Sequence, residues 1–275
     1  MRRRQFLHWG GAALLAPRLL PRPGIAPPAI LADGLLVPMD DVQSDHLKAY
    51  GLAFRVLERG VKAEWLLNYR GGSFLLPADQ ATSRDAALSG VTAEPVSQGT
   101  VIDLKARIQQ ENMDAVPLEK APRVAVYAPP NASPWDDAVT MVLNYAGIRF
   151  DKIWDAEVMA GGLAKFDWLH LHHEDFTGQY SKFYLNYAGA PWLVDMVQRN
   201  QGMARQLGFP NVPAEKRAVA DEIRAFVDRG GFLFAMCTAT ETLDLALASL
   251  HADIAAAYAD GTPMDPDAAR KMDWS

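Results

Sequence analysis

The stretch Gly230–Leu247, GGFLFAMCTATETLDLAL, passes from a short apolar run at Phe232 to Met236 into a helical pattern that continues to Leu250. The run has strand length, and Gly230-Gly231 bounds it on the entry side. A buried strand feeding directly into a helix is the unit of a parallel α/β sheet. The only cysteine in the 275 residues, Cys237, falls at the junction. A cysteine on such a turn projects its sulfur toward solvent, and the helix that follows favours the thiolate. The turn needs small residues two positions to either side, and Ala235 and Ala239 occupy them. In this elbow the Thr238 amide is placed to receive an oxyanion.

Alternation extends upstream. Val124–Ala128, Lys152–Trp154 and Asp167–His172 read as strands, separated by helices predicted over Pro134–Tyr145 and Glu157–Lys165. A long helical section is predicted from about Tyr180 to Gly208, and another helix over Ala214–Arg229. Right-handed crossovers would bring the C-terminal ends of the strands to one edge, where ligands bind in such sheets. That edge would collect Pro129 to Asp137, His172 to Gly178, and Cys237. Residues 122–275 are therefore expected to form one doubly wound domain.

Before it, Leu35–Val37, a helix within Gln43–Arg59 and Ala63–Leu67 predict a smaller βαβ region, residues 33–121, packed on or continuing the same sheet. Asn68–Phe74 reads as a loop. Residues 78–120 show little regularity apart from a helix at Ile102–Met113.

The first 32 residues read differently. Arg3-Arg4-Gln5-Phe6-Leu7 and a short Gly/Ala-rich apolar run have the form of a twin-arginine export signal. Five prolines between 17 and 28 make a spacer, and cleavage after Ala32 is expected. The apolar run is too short to span a membrane, so no integral membrane segment is expected after signal removal. The expected location is periplasmic or otherwise exported, with the Tat translocon as the partner during export. Loss of five arginines would take the net charge from −6 to −11. So acidic a surface argues against nucleic acid as a partner, and none is expected.

The segments MDDVQSDHLKAYG (from Met39), EWLLNYRGGSF (from Glu64), VYAPPNASPWDDAV (from Val126), WLHLHHEDFTGQYSKFY (from Trp168) and GGFLFAMCTAT (from Gly230) are similar to a group of exported bacterial proteins commonly labelled asparagine synthetase B. More broadly, Val124–Ala128, Asp167–His172 and FVDRGGFLFAMC (Phe226–Cys237) resemble the class I glutamine amidotransferase-like superfamily. The resemblance implies a flavodoxin-like parallel sheet with helices on both faces and chemistry on an amide, with Cys237 as nucleophile and Thr238 as oxyanion donor. It also implies a chain truncated at its C-terminus, because those proteins continue to a histidine and a glutamate. The ATP-binding Ser-Gly-Gly-x-Asp-Ser loop and the N-terminal cysteine of true asparagine synthetases are not in this sequence.

A base for Cys237 is expected from the cluster His170, His172, His173, Glu174, Asp175, with His172, His173 and Glu174 the candidates. Strand alternation would put His170 and His172 on one face and His173 on the other. His-x-His could also hold a metal, but no metal and no cofactor is expected. Two function classes stay open: a cysteine-dependent amidohydrolase or amidotransferase, and a non-catalytic protein holding a small ligand, for example a carbohydrate, at the same edge.

Overall fold

The computed structural model describes residues 33–130, 137–180 and 183–274. The expected export signal and proline spacer lie outside these residues. So do Pro134 and Trp135, at the start of a predicted helix.

The second half is a four-stranded parallel sheet. Its strands are β6 (Val124–Tyr127), β7 (Phe150–Ile153), β8 (Trp168–Leu171) and β9 (Phe232–Ala235), in the order β7-β6-β8-β9. Helices follow the strands: α4 (Ala138–Ala146) after β6, α5 (Asp155–Met159) after β7, and α9 (Thr238–Ala248) after β9. Between β8 and β9 the long predicted helix is broken into α6 (Phe183–Tyr187) and α7 (Pro191–Gln206), followed by α8 (Val212–Asp228). Pro191 explains the break, since proline is accepted in a first helical turn and not in a helix interior.

Residue alternation along β6 divides the packing. Ala125 and Tyr127 enter a core built with α5, α8 and α9. Val124 and Val126 face the other side, against Leu143 of α4 and Phe54 of the first half. Toward β9 that second face is open, with Phe232 and Phe234 exposed.

The first half departs from the βαβ expectation. It is a separate five-stranded antiparallel sheet of β1 (Gly34–Val37), β2 (Ala63–Leu67), β3 (Ser73–Pro77), β4 (Glu94–Val96) and β5 (Asp114–Leu118), in the order β4-β1-β3-β2-β5. β1, α1 (His46–Glu58) and β2 are present, but β3 inserts between the two strands and makes the unit a split βαβ. The 78–120 region holds α2 (Gln80–Ser89), β4, α3 (Gln98–Gln110) and β5. Both strands missed there contain proline, Pro95 in β4 and Pro117 in β5, and they are the two edges of the sheet. Edges are where a residue without an N–H donor can be accommodated.

The two sheets meet through α1 and α4. Gly51 of α1 lies against the end of α4 so closely that a Cβ there would sit 1.7 Å from the Ala146 carbonyl oxygen. Arg55 Nη1 donates to that same oxygen at 3.2 Å and Nη2 to Ser89 Oγ at 2.9 Å. Asp45, the N-cap of α1, accepts from Lys48 N at 3.0 Å and from the Tyr145 hydroxyl of α4. The helix crossing is set by the missing side chain at 51, and no rotamer change can relieve a backbone clash. Gly51→Ala is therefore expected to lower the unfolding free energy by roughly 3 kcal/mol, as overpacking against rigid backbone does. Chemical denaturation of the variant beside Gly99→Ala, where a Cβ would meet only Ser97 Oγ at 3.8 Å, checks this. Equal midpoints for the two would refute the close-contact account.

Candidate functional site

Cys237 has φ 56° and ψ −138°, a conformation that side-chain-bearing residues avoid. It is exposed, at the step from β9 into α9. Neighbours hold the step in place. The Met236 amide donates to Leu171 O at 3.1 Å and the Ala239 amide to His172 O at 3.3 Å. Thr240 Oγ1 donates to Cys237 O at 2.7 Å. Ala239 is fully buried, so the small residue predicted for that place is required by packing. Thr238 is the first residue of α9, and its amide has no carbonyl to bond within the helix.

The end of β8 lies beside this turn. His172 Nδ1 is 3.1 Å from Asp137 Oδ1, and His173 Nδ1 is 3.1 Å from the same His172 nitrogen. Asp137 caps α4, accepting from Val139 N at 2.8 Å through the oxygen that meets His172. An ionised Asp137 requires the proton on His172 Nδ1, which leaves His172 Nε2 as the basic nitrogen. His173 Nδ1 then accepts from the shared proton and carries its own hydrogen on Nε2.

Both imidazoles come together because the strand ends at Leu171, so the alternation expected to separate them no longer applies. His170 remains in the strand, buried and stacked on Phe234 at 5.4 Å. Burial lowers its pKa, against the pull of the Asp137 carboxylate, and no hydrogen bond joins it to the other two imidazoles among the described residues. Cys237 Sγ is within hydrogen-bonding reach of Thr238 Oγ1, at 3.8 Å, and of no imidazole among the described residues. His251 lies beyond the far end of α9, roughly 15–20 Å along the helix.

Glu174 accepts the His172 amide at 2.9 Å, and its own carbonyl accepts from Thr242 Oγ1 of α9 at 2.9 Å. Burial pushes its carboxyl up to about 7, against the pull of the backbone donor.

These groups border a cavity of about 460 Å³ reached by His173, Glu174 and Thr238. Its floor contains a buried cluster absent from the sequence reading. Lys216 Nζ donates to Asp155 Oδ1 and Oδ2 at 2.7 and 2.6 Å and to Tyr127 Oη at 3.0 Å, and lies 4.2 Å above the Trp154 ring. Glu215 is also fully buried, with a carboxylate oxygen 3.9 Å from Lys216 Nζ. A signal for the pair existed. The buried stripe of α8 runs through Val212, Val219, Ile223 and Phe226, and Glu215 and Lys216 fall inside it. A charged pair on an apolar stripe must find partners in the core. The sequence places Asp137 at the sheet edge, but its contact with His172 depends on a strand remote in sequence.

No group of three or more His, Cys, Asp or Glu among the described residues is arranged to hold a metal ion. No helix among them is long and apolar enough to cross a membrane. No family model, curated protein or solved structure matches the chain.

Two outcomes follow from the site's energetics. Strain of the kind seen at Cys237 costs on the order of 1–3 kcal/mol, and glycine relieves it while adding some unfolded-state entropy. Cys237→Gly should therefore be more stable than the wild type by about 1 kcal/mol, whereas Cys237→Ala, which keeps a Cβ, should not. Urea unfolding of the three proteins decides it.

The second outcome concerns pH. Burial lifts the Glu215 carboxyl to about 8, with Lys216 pulling it down and Asp155 adding to the rise. Between the ordinary 4.5 and about 8, the folded state keeps a proton that the unfolded state has released, so stability falls as pH rises through this window. Glu215→Gln removes that part of the slope and leaves the part due to Glu174, which ends near 7. Melting curves should show the variant gaining roughly 3–6 °C over wild type at pH 8 and almost nothing at pH 4.5.

Proposed function

We propose that the chain is a cysteine-dependent amide hydrolase or amidotransferase with a flavodoxin-like, class I glutamine amidotransferase-like domain, exported by the twin-arginine route. The observation that carries this reading is the backbone of Cys237, a strained turn between the parallel strand β9 and a helix N-terminus. Such strain persists where it serves a function, and a buried structural thiol has no use for it. The strand order β7-β6-β8-β9 and the likeness read from the sequence support the same class.

In this reading Cys237 Sγ attacks the amide carbon, and the carbonyl π electrons move to oxygen. The Thr238 amide donates to that oxyanion. An imidazole of the pair His172 and His173 takes the thiol proton and passes it to the departing nitrogen, so that the C–N bond breaks and a thioester remains. Water then attacks the thioester, gives a proton back through the same imidazole, and releases the acid and the thiol; an amine attacking in place of water gives transfer. Asp137 holds His172 in the tautomer with a basic Nε2. Glu174 positions the His172 backbone through its hydrogen bond to the amide. With no direct bond from sulfur to imidazole, the first proton moves through a bridging water or after closure on substrate.

The alternative, a small-ligand-binding protein, is favoured by that missing bond together with the large cavity.

Incubation of native protein with p-nitrophenyl acetate should add one acetyl group at Cys237, seen by intact mass and peptide mapping. The adduct should decay over time. Cys237→Ser should stay unmodified, and His172→Ala should acylate more slowly by roughly a hundredfold, the scale of a lost general base. Wild-type protein that is labelled only after denaturation would leave the binding reading in its place.

A further inference from the structure

The cavity of about 460 Å³ has a composition that selects among ligands. Trp154, Tyr180, Phe183 and Trp192 give it aromatic walls, and Met196 and Val212 add apolar surface. A small polar amide would leave these walls wetted and uncovered, whereas a ring or branched hydrocarbon would cover them. The polar groups are few and differ in availability. Lys216 directs its three protons to Asp155 Oδ1, Asp155 Oδ2 and Tyr127 Oη, so its charge is neutralised and its donors are occupied. Arg199 of α7 also lines the cavity and has no ion-pair or hydrogen-bond partner among the described residues.

The acidic groups, Glu174 and Asp175, come from the segment after β8 that also carries the histidines. A ligand carboxylate is therefore better placed beside Arg199 on α7 than beside Glu174 and Asp175. Another cavity, about 380 Å³, lacks this asymmetry, because its cations are paired: Arg123 and Lys120 with Asp167, and Arg149 with Glu58.

We infer that this cleft takes an amide with an apolar or aromatic body and a free carboxylate, the carboxylate meeting Arg199 and the ring lying among Trp154, Phe183 and Trp192. An N-arylacyl amino acid is the simplest compound of that class. The inference names the substrate class of the proposed Cys237 site and rests on that reading for turnover, but its binding part stands without it.

The test uses the full chain carrying Cys237→Ser, so that binding is measured with no chemistry. By calorimetry, N-phenylacetylglycine, which has both features, should bind. N-phenylacetylglycinamide, which lacks the charge, and N-acetylglycine, which lacks the ring, should each bind more weakly by roughly fivefold or more. Arg199→Ala should lose roughly fivefold for N-phenylacetylglycine and leave the glycinamide within about twofold. Trp192→Ala should weaken both ring-bearing probes. Arg199 and Trp192 are exposed, so neither substitution endangers the fold.

Equal binding of N-phenylacetylglycine and N-acetylglycine would overturn the aromatic pocket. Equal loss for acid and amide in Arg199→Ala would overturn the anion site. Binding as expected, in a protein whose wild type is never acylated at Cys237, would remove the catalytic reading alone.

Discussion

The Lys216–Asp155 pair is the constraint around which the second half of the molecule is arranged. Both side chains are almost wholly removed from water, and an ammonium or carboxylate left there without its partner costs several kcal/mol. The pair fixes three elements at once: β6 through Tyr127, the turn from β7 into α5 through Asp155, and the first turns of α8 through Lys216. Trp154 lies beneath the ammonium, so the same charge sets the ring that walls the cavity. A hydrophobic residue at 216 could fill the volume without directing any of these groups. Geometry, more than net stability, is what an ion pair in such a place supplies.

The elbow depends on that arrangement indirectly. α8 and α9 pack side by side over the sheet, Val219, Ala220 and Ile223 meeting Ala239, Leu243 and Ala246 in one core. Small residues on α9 allow the close approach, and the helix is then too well seated to let Cys237 relax to an ordinary backbone conformation. Strain at one residue is tolerable when the packing that enforces it is worth several times more. The hydrogen bonds from Met236 and Ala239 to the end of β8 complete the restraint.

The parallel half was largely legible in the sequence. Its strands alternate with helices, and buried strands read as apolar runs whether or not their neighbours are known. Cys237 and Thr238 could be placed at a strand end for the same reason, whereas the meeting of His172 and His173 could not, because alternation along the strand was expected to separate them. The antiparallel half was not. Asn68 and Arg70 both adopt positive φ, and Gly71 and Gly72 follow them, so the turn into β3 reads as an extended loop. Pro95 and Pro117 removed β4 and β5 from view, because proline tells against a strand unless the strand is known to be an edge. Asp137 and Lys216 share a different obstacle. Their partners, His172 and Asp155, are 35 and 61 residues away, and local pattern carries no information about such contacts.

The helix α4 joins the two kinds of information. Its last residue, Ala146, presents the carbonyl that only glycine at 51 can approach, and its N-cap, Asp137, holds the His172 ring. These two contacts are separated by about 13 Å of a single rigid element. A helix of that length bends little, so a shift forced at the α1 contact is carried to the cap nearly undiminished. The Asp137 to His172 contact is a single hydrogen bond of 3.1 Å and weakens steeply with misalignment. The antiparallel sheet is thereby joined to the imidazole pair by a chain of contacts without contributing a residue to it: the sheet packs on α1, α1 meets the end of α4, and the N-cap of α4 meets His172.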